Sequence, residues 1–306
     1  MLLLLSPGQG SQSPGLLRPW LDLPGATDSL RRWSDATGLD LLDLGTQASA
    51  DAVRATEVAQ PLLTAAALLS GRALLRGGRP GLVCGHSVGE LSALALAGVL
   101  TDDEAVQLAA GRGRLMAEAA ALRPTGMAAL LGGGPVEEAD VAAAGLQVAT
   151  VNVAGQVVVG GPVEAIDAWT PPSGARVRRL DVAGAFHTEA MAPAVPGLQA
   201  LVDALSPREA QCDVVANADG ARLRDGRELL SRLVAQLTRP VRFDLCLAAV
   251  PDATRGVELA PAGVLTGLAK RALPELPVTA LKTADDLASL DPAVVDLTAA
   301  GQEVSA

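Results

Sequence analysis

The feature that constrains this chain most is the pentapeptide at residues 85–89, Gly-His-Ser-Val-Gly, which follows directly on the short apolar run at residues 81–84. Glycine on both sides of the central residues allows a tight turn from a strand into a helix, and such a turn exposes the hydroxyl of Ser87. The next backbone N–H, that of Val88, then lies at a helix N-terminus, where it can stabilise an oxyanion. The pattern predicts a nucleophilic serine in an α/β protein; an ordinary glycine-rich turn is the alternative.

A serine becomes a good nucleophile only when a base takes its proton, and the chain has two histidines. His86 is adjacent to Ser87 on the turn, where neighbouring side chains diverge, so we expect it to be a packed, hydrogen-bonded residue. His187 remains as the candidate base by elimination. A loop histidine without a partner is the alternative interpretation of His187.

One arginine lies on the apolar face of a predicted helix. Residues 101–104 form a capping box, and the apolar side chains that follow, among them Met116, recur at helical spacing around Arg112. An unpaired buried guanidinium is costly, so Arg112 needs a partner. A structural carboxylate and a substrate carboxylate fit equally well by periodicity alone. Arg114 lies off this face, where it can pair with Glu118 one turn later.

The glycine-rich segment at residues 8–15 follows the short apolar run at residues 2–5. It lacks the G-x-G-x-x-G spacing of a dinucleotide site and the Gly-Lys-Ser/Thr ending of a P-loop, which argues against a nucleotide cradle. A turn whose backbone N–H completes an oxyanion hole suits a serine enzyme better.

Composition excludes several classes of protein. Acidic residues outnumber basic ones by 34 to 24, a formal charge of −10, which counts against a nucleic-acid-binding protein. Three scattered cysteines and two histidines leave few ligands for a metal, and we expect no cofactor. Sparse cysteines fit a reducing compartment, and we find neither a signal-peptide core nor an unbroken apolar run of membrane-spanning length. The sequence therefore predicts a cytoplasmic protein without a membrane partner.

The predicted pattern of secondary structure changes between residues 124 and 188. Short β-rich pieces alternate there with two short helical stretches, in the order β-α-β-β-α-β, which predicts a small α+β insert. The surrounding chain, residues 1–123 and 189–306, alternates strands and helices as an α/β core does. The elements predicted for this core are strands at residues 2–5, 81–85, 212–217 and 257–259, and helices at residues 60–75, 87–100, 101–121, 190–205 and 226–237.

Taken together, these motifs resemble the malonyl-CoA:acyl-carrier-protein transacylases of type II fatty-acid synthesis and the related acyltransferase domains of polyketide synthases. The resemblance covers nearly the full length. Its landmarks occur in the family's order: Pro7-Gly-Gln-Gly-Ser-Gln12, Gln60-Pro61, Gly85-His-Ser-Val-Gly-Glu90, Arg112-Gly, Asn152 to Gln156, Ala185-Phe-His187, Asn217-Ala-Asp219, Gln236 before Arg239-Pro-Val-Arg242, and Val264-Leu-Thr-Gly-Leu-Ala-Lys-Arg271.

The resemblance implies an α/β fold, with an α/β-hydrolase-like core interrupted by a ferredoxin-like α+β subdomain. It also implies roles for the matching positions. Ser87 would be acylated and His187 would be the base. Gln236 would orient His187 by accepting its other ring N–H, and the backbone N–H groups of Gln9 and Val88 would form the oxyanion hole.

The same resemblance assigns the substrate pocket and the partners. Arg112 would hold the malonyl carboxylate, and Phe186 would narrow the pocket beside the C2 carbon. Met116 and Asn152 are also expected among the substrate-binding residues. Malonyl-CoA and holo acyl carrier protein are the implied partners. Because carrier proteins are acidic, docking predicts a local basic patch, formed either by Arg176, Arg178 and Arg179 or by Arg239, Lys270 and Arg271.

The predicted activity is the transfer of a malonyl group from malonyl-CoA, through a malonyl-serine intermediate, to the phosphopantetheine thiol of acyl carrier protein in fatty-acid biosynthesis. A polyketide-type acyltransferase would use the same chemistry with a different carrier. A serine thioesterase or hydrolase would discharge to water, would place an acid at the third position and would have no use for Arg112. A nucleotide-binding protein would not depend on Ser87.

Overall fold

The computed structural model describes residues 1–171 and 174–290. Its strands are β1 (Leu2–Ser6), β2 (Leu82–Gly85), β3 (Thr125–Leu131), β4 (Gln147–Val153), β5 (Gln156–Pro162), β6 (Arg176–Arg179), β7 (Asp213–Val215), β8 (Arg222–Leu223), β9 (Val241–Arg242), β10 (Arg255–Glu258) and β11 (Val278–Ala280). Its α-helices are α1 (Ala26–Thr37), α2 (Leu41–Thr46), α3 (Ala50–Arg54), α4 (Thr56–Leu75), α5 (Gly89–Leu96), α6 (Asp102–Ala120), α7 (Glu138–Ala143), α8 (Val163–Ala168), α9 (Val195–Asp203), α10 (Gly226–Ala235), α11 (Phe243–Ala248), α12 (Val264–Ala272) and α13 (Ala284–Ala288). Two 3₁₀ helices span Arg18–Trp20 and Glu189–Ala194.

The first sheet has the order β11-β10-β1-β2-β7-β8 and is parallel except for β8. Strand β1 lies at its centre, and its five residues are all buried, as expected for a continuous apolar run in a parallel sheet. Ser6, the last residue of β1, pairs with Gly85, the last residue of β2. The loops that follow these two strands therefore lie side by side at the carboxyl edge of the sheet, where open α/β folds bind ligands.

The second sheet has the order β6-β3-β5-β4-β9. Its first four strands are antiparallel and occur in the chain as β3-α7-β4-β5-α8-β6, the predicted β-α-β-β-α-β order. Their spatial order, fourth-first-third-second, is that of a ferredoxin-like unit, and the predicted fold class is confirmed. Strand β9 extends this sheet in parallel with β4, so residues beyond the predicted insert contribute to it.

The predicted subdomain boundaries, with residues 124–188 between residues 1–123 and 189–306, stay a prediction. Residues 172–173 of the predicted insert and residues 291–306 of the predicted core lie outside the described residues. In the described part, three apolar clusters form the core, and one of them consists almost entirely of side chains from the β3–β6 segment.

Helix α4 begins at Thr56, one turn before its predicted start at residue 60. Nearly all its side chains are buried because it packs against α5 and α6. By length and composition α4 could cross a membrane, but 83% of its most apolar window is buried inside the protein, which is typical of a core helix. The predicted cytoplasmic location stays a prediction.

Two helices differ from their predicted extents for local reasons. The helix predicted over residues 87–100 is the shorter α5, because Ser87 has a left-handed backbone (φ 54°) and the helix starts only after Val88. The helix predicted over residues 190–205 is divided into a 3₁₀ helix and α9, with a proline in the first turn of α9.

Candidate active site

Ser87 lies on the tight turn between β2 and α5. Its positive φ is uncommon for a residue other than glycine, and a strained turn of this kind projects the side chain away from the sheet. Its backbone N–H donates to Oδ1 of Asn217 at 2.8 Å, which holds the turn in place. A Cβ atom at Gly85 would overlap the backbone of Gly89, and one at Gly89 would overlap the carbonyl of Ser6. The two motif glycines are therefore required by close backbone packing.

Replacing Gly85 with alanine is expected to destabilise the fold by at least about 1–3 kcal/mol, since the overlap is with backbone that cannot rotate away. Gly267→Ala is a matched control, because a Cβ there meets nothing within 4 Å and Gly267 lies on an exposed helical position. Alanine is expected to stabilise the control by up to about 1 kcal/mol. Denaturant unfolding measures both; an unchanged midpoint for Gly85→Ala would contradict the packing argument.

His187 faces the serine hydroxyl. Nε2 of His187 lies 2.8 Å from Oγ of Ser87, and Nδ1 lies 2.8 Å from the backbone carbonyl oxygen of Gln236. Because a carbonyl only accepts, Nδ1 carries the proton and Nε2 is left free to take one from Ser87. Burial, together with the positive charge of Arg112, lowers the pKa of His187 to about 3. The imidazole is therefore neutral near pH 7, as a general base must be.

Arg112 on α6 is almost fully buried, as its place on the apolar face predicts. Its Nη1 donates to Oε1 of Gln60 at 2.8 Å, and its Nη2 donates to Oε1 of Gln236 at 2.9 Å and lies 3.4 Å from Oγ of Ser87. All three acceptors are uncharged, and among the described residues no carboxylate forms an ion pair with Arg112. Within this part of the chain Arg112 thus has no direct carboxylate partner, although the charge of the buried Glu90 raises its pKa against the lowering by burial.

The electrostatics of Arg112 favour an incoming anion. Burial lowers its pKa to about 10, so the guanidinium keeps its charge at neutral pH. Its Nε has no hydrogen-bond partner within residues 1–171 and 174–290. Arg114, by contrast, is exposed and lies 3.9 Å from Glu118, the predicted surface pair. A buried, charged guanidinium beside a serine hydroxyl is suited to bind a carboxylate of the acyl group.

The predicted oxyanion donors flank the serine. Gln9 lies in the loop after β1, and Val88 follows Ser87 at the start of α5. The backbone N–H groups of both residues have no acceptor among the residues that the structure describes, whereas the N–H of Ser87 is occupied by Asn217. The two N–H groups are therefore available to a substrate oxygen.

A cavity of about 620 Å³ opens over Ser87, and it is lined mainly by the loops that follow β1 and β2, by strands β3, β4 and β5 of the second sheet, and by α12. Three of the four predicted substrate residues line it, namely Met116, Phe186 and Asn152, whereas Arg112 is not part of its wall. Met116 also accepts, through Sδ at 3.3 Å, a hydrogen bond from Nε2 of Gln60, which fixes the amide that holds Arg112. Met116 thus supports the guanidinium as well as the pocket wall.

His86 is hydrogen-bonded and packed, as its place beside Ser87 predicts. Its Nε2 lies 2.8 Å from Oδ1 of Asn152, and its ring lies 5.1 Å from that of Phe243. Asn152 is therefore occupied by His86 through its side-chain oxygen while it lines the cavity.

Two buried residues support the site, although sequence reasoning gave them no role. Asn217 accepts from the N–H of Ser87 and donates to the carbonyl of Gly85 at 2.6 Å. Glu90 accepts at 2.7 Å from the backbone N–H of Asn217 and at 2.6 Å from Nε2 of Gln236. Both residues belong to landmark motifs, which was the one signal available for them.

The two predicted basic clusters lie on different elements. Arg176, Arg178 and Arg179 lie on the edge strand β6, where Arg179 pairs with Asp167 at 2.7 Å. Lys270 and Arg271 end α12, the helix whose exposed Val264 lies at the cavity. The third member of that cluster, Arg239, lines a different cavity. A docking role for either cluster stays a prediction.

No group of three or more histidine, cysteine, aspartate or glutamate side chains in the described chain is arranged to hold a metal ion.

A serine on a strand–turn–helix elbow, hydrogen-bonded to a histidine and with two free backbone N–H groups in the adjoining loops, defines a site for acyl transfer through a serine ester. Residues 4–299 match the model of the acyl transferase domain family, and the chain belongs to this family.

Curated relatives and solved structures narrow the comparison. A malonyl CoA-acyl carrier protein transacylase from Mycobacterium tuberculosis is 47% identical over 299 residues, covering 95% of this chain and 99% of the relative. One from Escherichia coli is 34% identical over 302 residues, covering 92% of this chain and 96% of the relative. The crystal structure of MCAT from Mycobacterium tuberculosis matches with a TM-score of 0.90 at 46% identity, covering 94% of this chain and 99% of the MCAT chain. A malonyl-transacylase in complex with a holo type II PKS acyl-carrier protein matches with a TM-score of 0.86 at 30% identity, covering 94% of this chain and 98% of the matched chain.

Proposed function

We infer that this chain is an [acyl-carrier-protein] S-malonyltransferase, which moves a malonyl group from malonyl-CoA to the phosphopantetheine thiol of acyl carrier protein in fatty-acid biosynthesis. The observation that carries this inference is the buried, charged guanidinium of Arg112, 3.4 Å from the hydroxyl of Ser87. It accounts for a substrate that carries a free carboxylate as well as a reactive acyl carbon. The transacylase relatives, which match over nearly the full chain, support the same activity.

The first half-reaction loads the serine. Nε2 of His187 takes the proton of Ser87 as Oγ attacks the thioester carbonyl of malonyl-CoA. The tetrahedral oxyanion accepts from the backbone N–H groups of Gln9 and Val88. The C–S bond then breaks and the CoA sulfur takes the proton from His187. Because burial and the charge of Arg112 lower the pKa of His187, its protonated form is a stronger acid than an ordinary imidazolium and gives up the proton readily.

The second half-reaction reverses these steps with another thiol. The phosphopantetheine thiol of the carrier protein passes its proton to His187 and attacks the malonyl-serine ester. The same two N–H groups hold the oxyanion, the C–O bond to Ser87 breaks, and Oγ recovers the proton from His187. Gln236 orients the imidazole in both half-reactions through its backbone carbonyl, 2.8 Å from Nδ1.

Selection of the acyl group takes place at the guanidinium. We propose that Arg112, whose Nη2 lies 3.4 Å from Oγ of Ser87, binds the malonyl carboxylate, and that Phe186 limits the space beside the C2 carbon. Asn152 and Met116 complete the wall around the acyl chain. An acetyl group would leave the charge of Arg112 without a partner, so acetyl-CoA is expected to be the poorer substrate.

A hydrolase and a polyketide-type acyltransferase are the two alternatives. Transfer is favoured over hydrolysis because Nδ1 of His187 donates to a backbone carbonyl rather than to a carboxylate. In addition, a hydrolase would not need Arg112 to bind a carboxylate of the acyl group. A polyketide-type enzyme would use the same serine and the same guanidinium with a different carrier. We assign the chain to fatty-acid synthesis on its similarity to the curated transacylases.

The rate of CoA release distinguishes transfer from hydrolysis. With malonyl-CoA as donor, we expect sustained release only when holo acyl carrier protein is present, and parallel double-reciprocal plots when both substrates are varied. Without the carrier, release should stop after one equivalent per enzyme. Sustained release without the carrier would instead support the hydrolase.

A further inference from the structure

Glu90 is a buried carboxylate in the first turn of α5 for which the mechanism above has no use. Its Oε1 accepts from the backbone N–H of Asn217, and its Oε2 accepts from Nε2 of Gln236 at 2.6 Å. The substrate cavity is lined by Ser87 and His187 but not by Glu90. Any influence of Glu90 on the reaction must therefore pass through its hydrogen-bond partners or through its charge, which raises the pKa of Arg112 against the lowering by burial.

The side-chain amide of Gln236 connects Glu90 to Arg112. Its nitrogen donates to Oε2 of Glu90 and, at 3.1 Å, to Oδ1 of Asn217, while its oxygen accepts from Nη2 of Arg112 at 2.9 Å. A carboxylate only accepts and a guanidinium only donates, so this amide has a single satisfactory orientation. If the Gln236 amide were flipped, the Asn217 amide would not be free to flip with it, because its oxygen accepts from the N–H of Ser87 and its nitrogen donates to the carbonyl of Gly85.

We propose that Glu90 is a positioning residue for acyl-group selection: it fixes the Gln236 amide so that the amide oxygen holds Arg112 where the guanidinium meets the malonyl carboxylate. This inference rests on the proposed function, since it concerns the acyl group that Arg112 selects. Without Glu90, the amide could turn its nitrogen toward the guanidinium, where two donors would face each other and Arg112 would lose an anchor.

A second cavity gives Glu90 its own access to solvent. This cavity, of about 530 Å³, is lined by Glu90 and Gln236 together with Asp219, Arg232 and Arg239, and Ser87 is not part of its wall. Protons can thus reach Glu90 without passing through the substrate cavity.

The charge of Glu90 changes near neutral pH. Burial raises its pKa to about 7, although the hydrogen bonds from Asn217 and Gln236 and the charges of Arg112 and Arg232 oppose the rise. Once protonated, the carboxyl carries an O–H donor among groups that are themselves donors, so the orientation of the Gln236 amide is lost on the acid side of about pH 7.

The other titratable groups around Glu90 keep their charge between about pH 6 and about pH 8. Arg112, with a pKa of about 10, and Arg232, with a raised pKa, stay protonated, and Asp219, with a lowered pKa, stays ionised. The hydrogen bond with Cys246, together with burial, raises the pKa of Cys84, whose thiol stays neutral. His187, with a pKa of about 3, stays unprotonated.

The first test compares malonyl-CoA with acetyl-CoA as donors for acylation of Ser87. In Glu90→Gln, which preserves size, we expect the ratio of the two kcat/KM values to fall about tenfold, the equivalent of ~1.4 kcal/mol. Acetyl loading should change less than about threefold, which also shows that the variant is folded. Equal losses for the two donors would overturn the proposal, since Glu90 would then act only on the elbow through Asn217.

A double-mutant cycle tests the route through Gln236. Gln236→Ala removes the amide but keeps the backbone carbonyl that faces His187. If Glu90 acts through the amide, adding Glu90→Gln to Gln236→Ala leaves the malonyl-to-acetyl ratio unchanged. A ratio that falls by the product of the two single effects would overturn the proposal.

The wild-type enzyme provides a test that needs no variant. The malonyl-to-acetyl ratio is expected to decrease as the pH falls from about 8 to about 6, because Glu90 takes up a proton while the malonyl carboxylate stays ionised. A constant ratio across this range would overturn the proposal but leave the transferase function standing. A wild-type enzyme that forms no malonyl ester on Ser87 would overturn both.

Discussion

Replacing Arg112 with leucine is expected to lower kcat/KM for malonyl-CoA by about 10²–10³-fold while acetyl-CoA becomes an equal or better donor. Loss of one partner of a buried, charged hydrogen-bonded pair costs about 2–5 kcal/mol. Acetyl-CoA has no carboxylate to lose, and in the variant it no longer leaves a guanidinium unpaired. The variant also leaves the side-chain oxygens of Gln60 and Gln236 without their donor, so some loss of stability is expected.

Arg114→Leu is the matched control for this prediction. Arg114 lies on the same helix but is exposed, and its contact with Glu118 is a surface pair worth about 1 kcal/mol or less. Acylation of Ser87 is measured with both donors for the two variants. If Arg112→Leu and Arg114→Leu lowered malonyl loading equally, or if Arg112→Leu lowered acetyl loading as much as malonyl loading, Arg112 would not be the carboxylate ligand.

Replacing His187 with alanine is expected to lower acylation of Ser87 by about 10⁴-fold or more with either donor, since no other base lies against the serine hydroxyl in the described structure. His86→Ala is the control, because His86 contacts Asn152 rather than Ser87. We expect the control to keep activity within about tenfold of wild type. A His187 variant that retains a tenth of wild-type activity would show that another group removes the proton.

The pH dependence carries a second signature of His187. Its lowered pKa means that the base form is present above about pH 3, so protonation of His187 should not reduce the rate near pH 6.5, where an ordinary histidine titrates. The rate of acetyl loading measures this effect separately, because an acetyl group has no carboxylate to contact Arg112. A fall in acetyl loading with a midpoint near 6.5 would contradict the buried, neutral imidazole.

Much of the fold and part of the site could be predicted from local patterns. The turn around Ser87 is marked by two glycines whose places close backbone packing requires, and the capping box at residues 101–104 starts α6 as predicted. The β-α-β-β-α-β insert was visible because its strands and helices are short and separated by breaks. The burial of Arg112 followed from helical periodicity, which places it on the apolar face of α6.

The parts that could not be predicted depend on contacts between distant segments. Nothing local marks Glu90 and Asn217 as partners, since 127 positions separate them in the chain. Gln236 accepts from Nδ1 of His187 through its backbone carbonyl and from Nη2 of Arg112 through its side-chain oxygen. This division depends on the course of the main chain after α10, which the local sequence does not indicate. The two-residue strand β9 has too little sequence to carry an alternating pattern, so the sequence does not predict its addition to the second sheet.

Intact mass spectrometry of the acyl-enzyme tests the central claim most directly. After a brief exposure to malonyl-CoA, the wild-type protein should gain one malonyl group, Ser87→Ala should gain none, and addition of holo acyl carrier protein should move the mass increment from the enzyme to the carrier thiol. The account would be contradicted by a wild-type protein that gains no malonyl group, or by an adduct that persists in Ser87→Ala or that the carrier cannot remove.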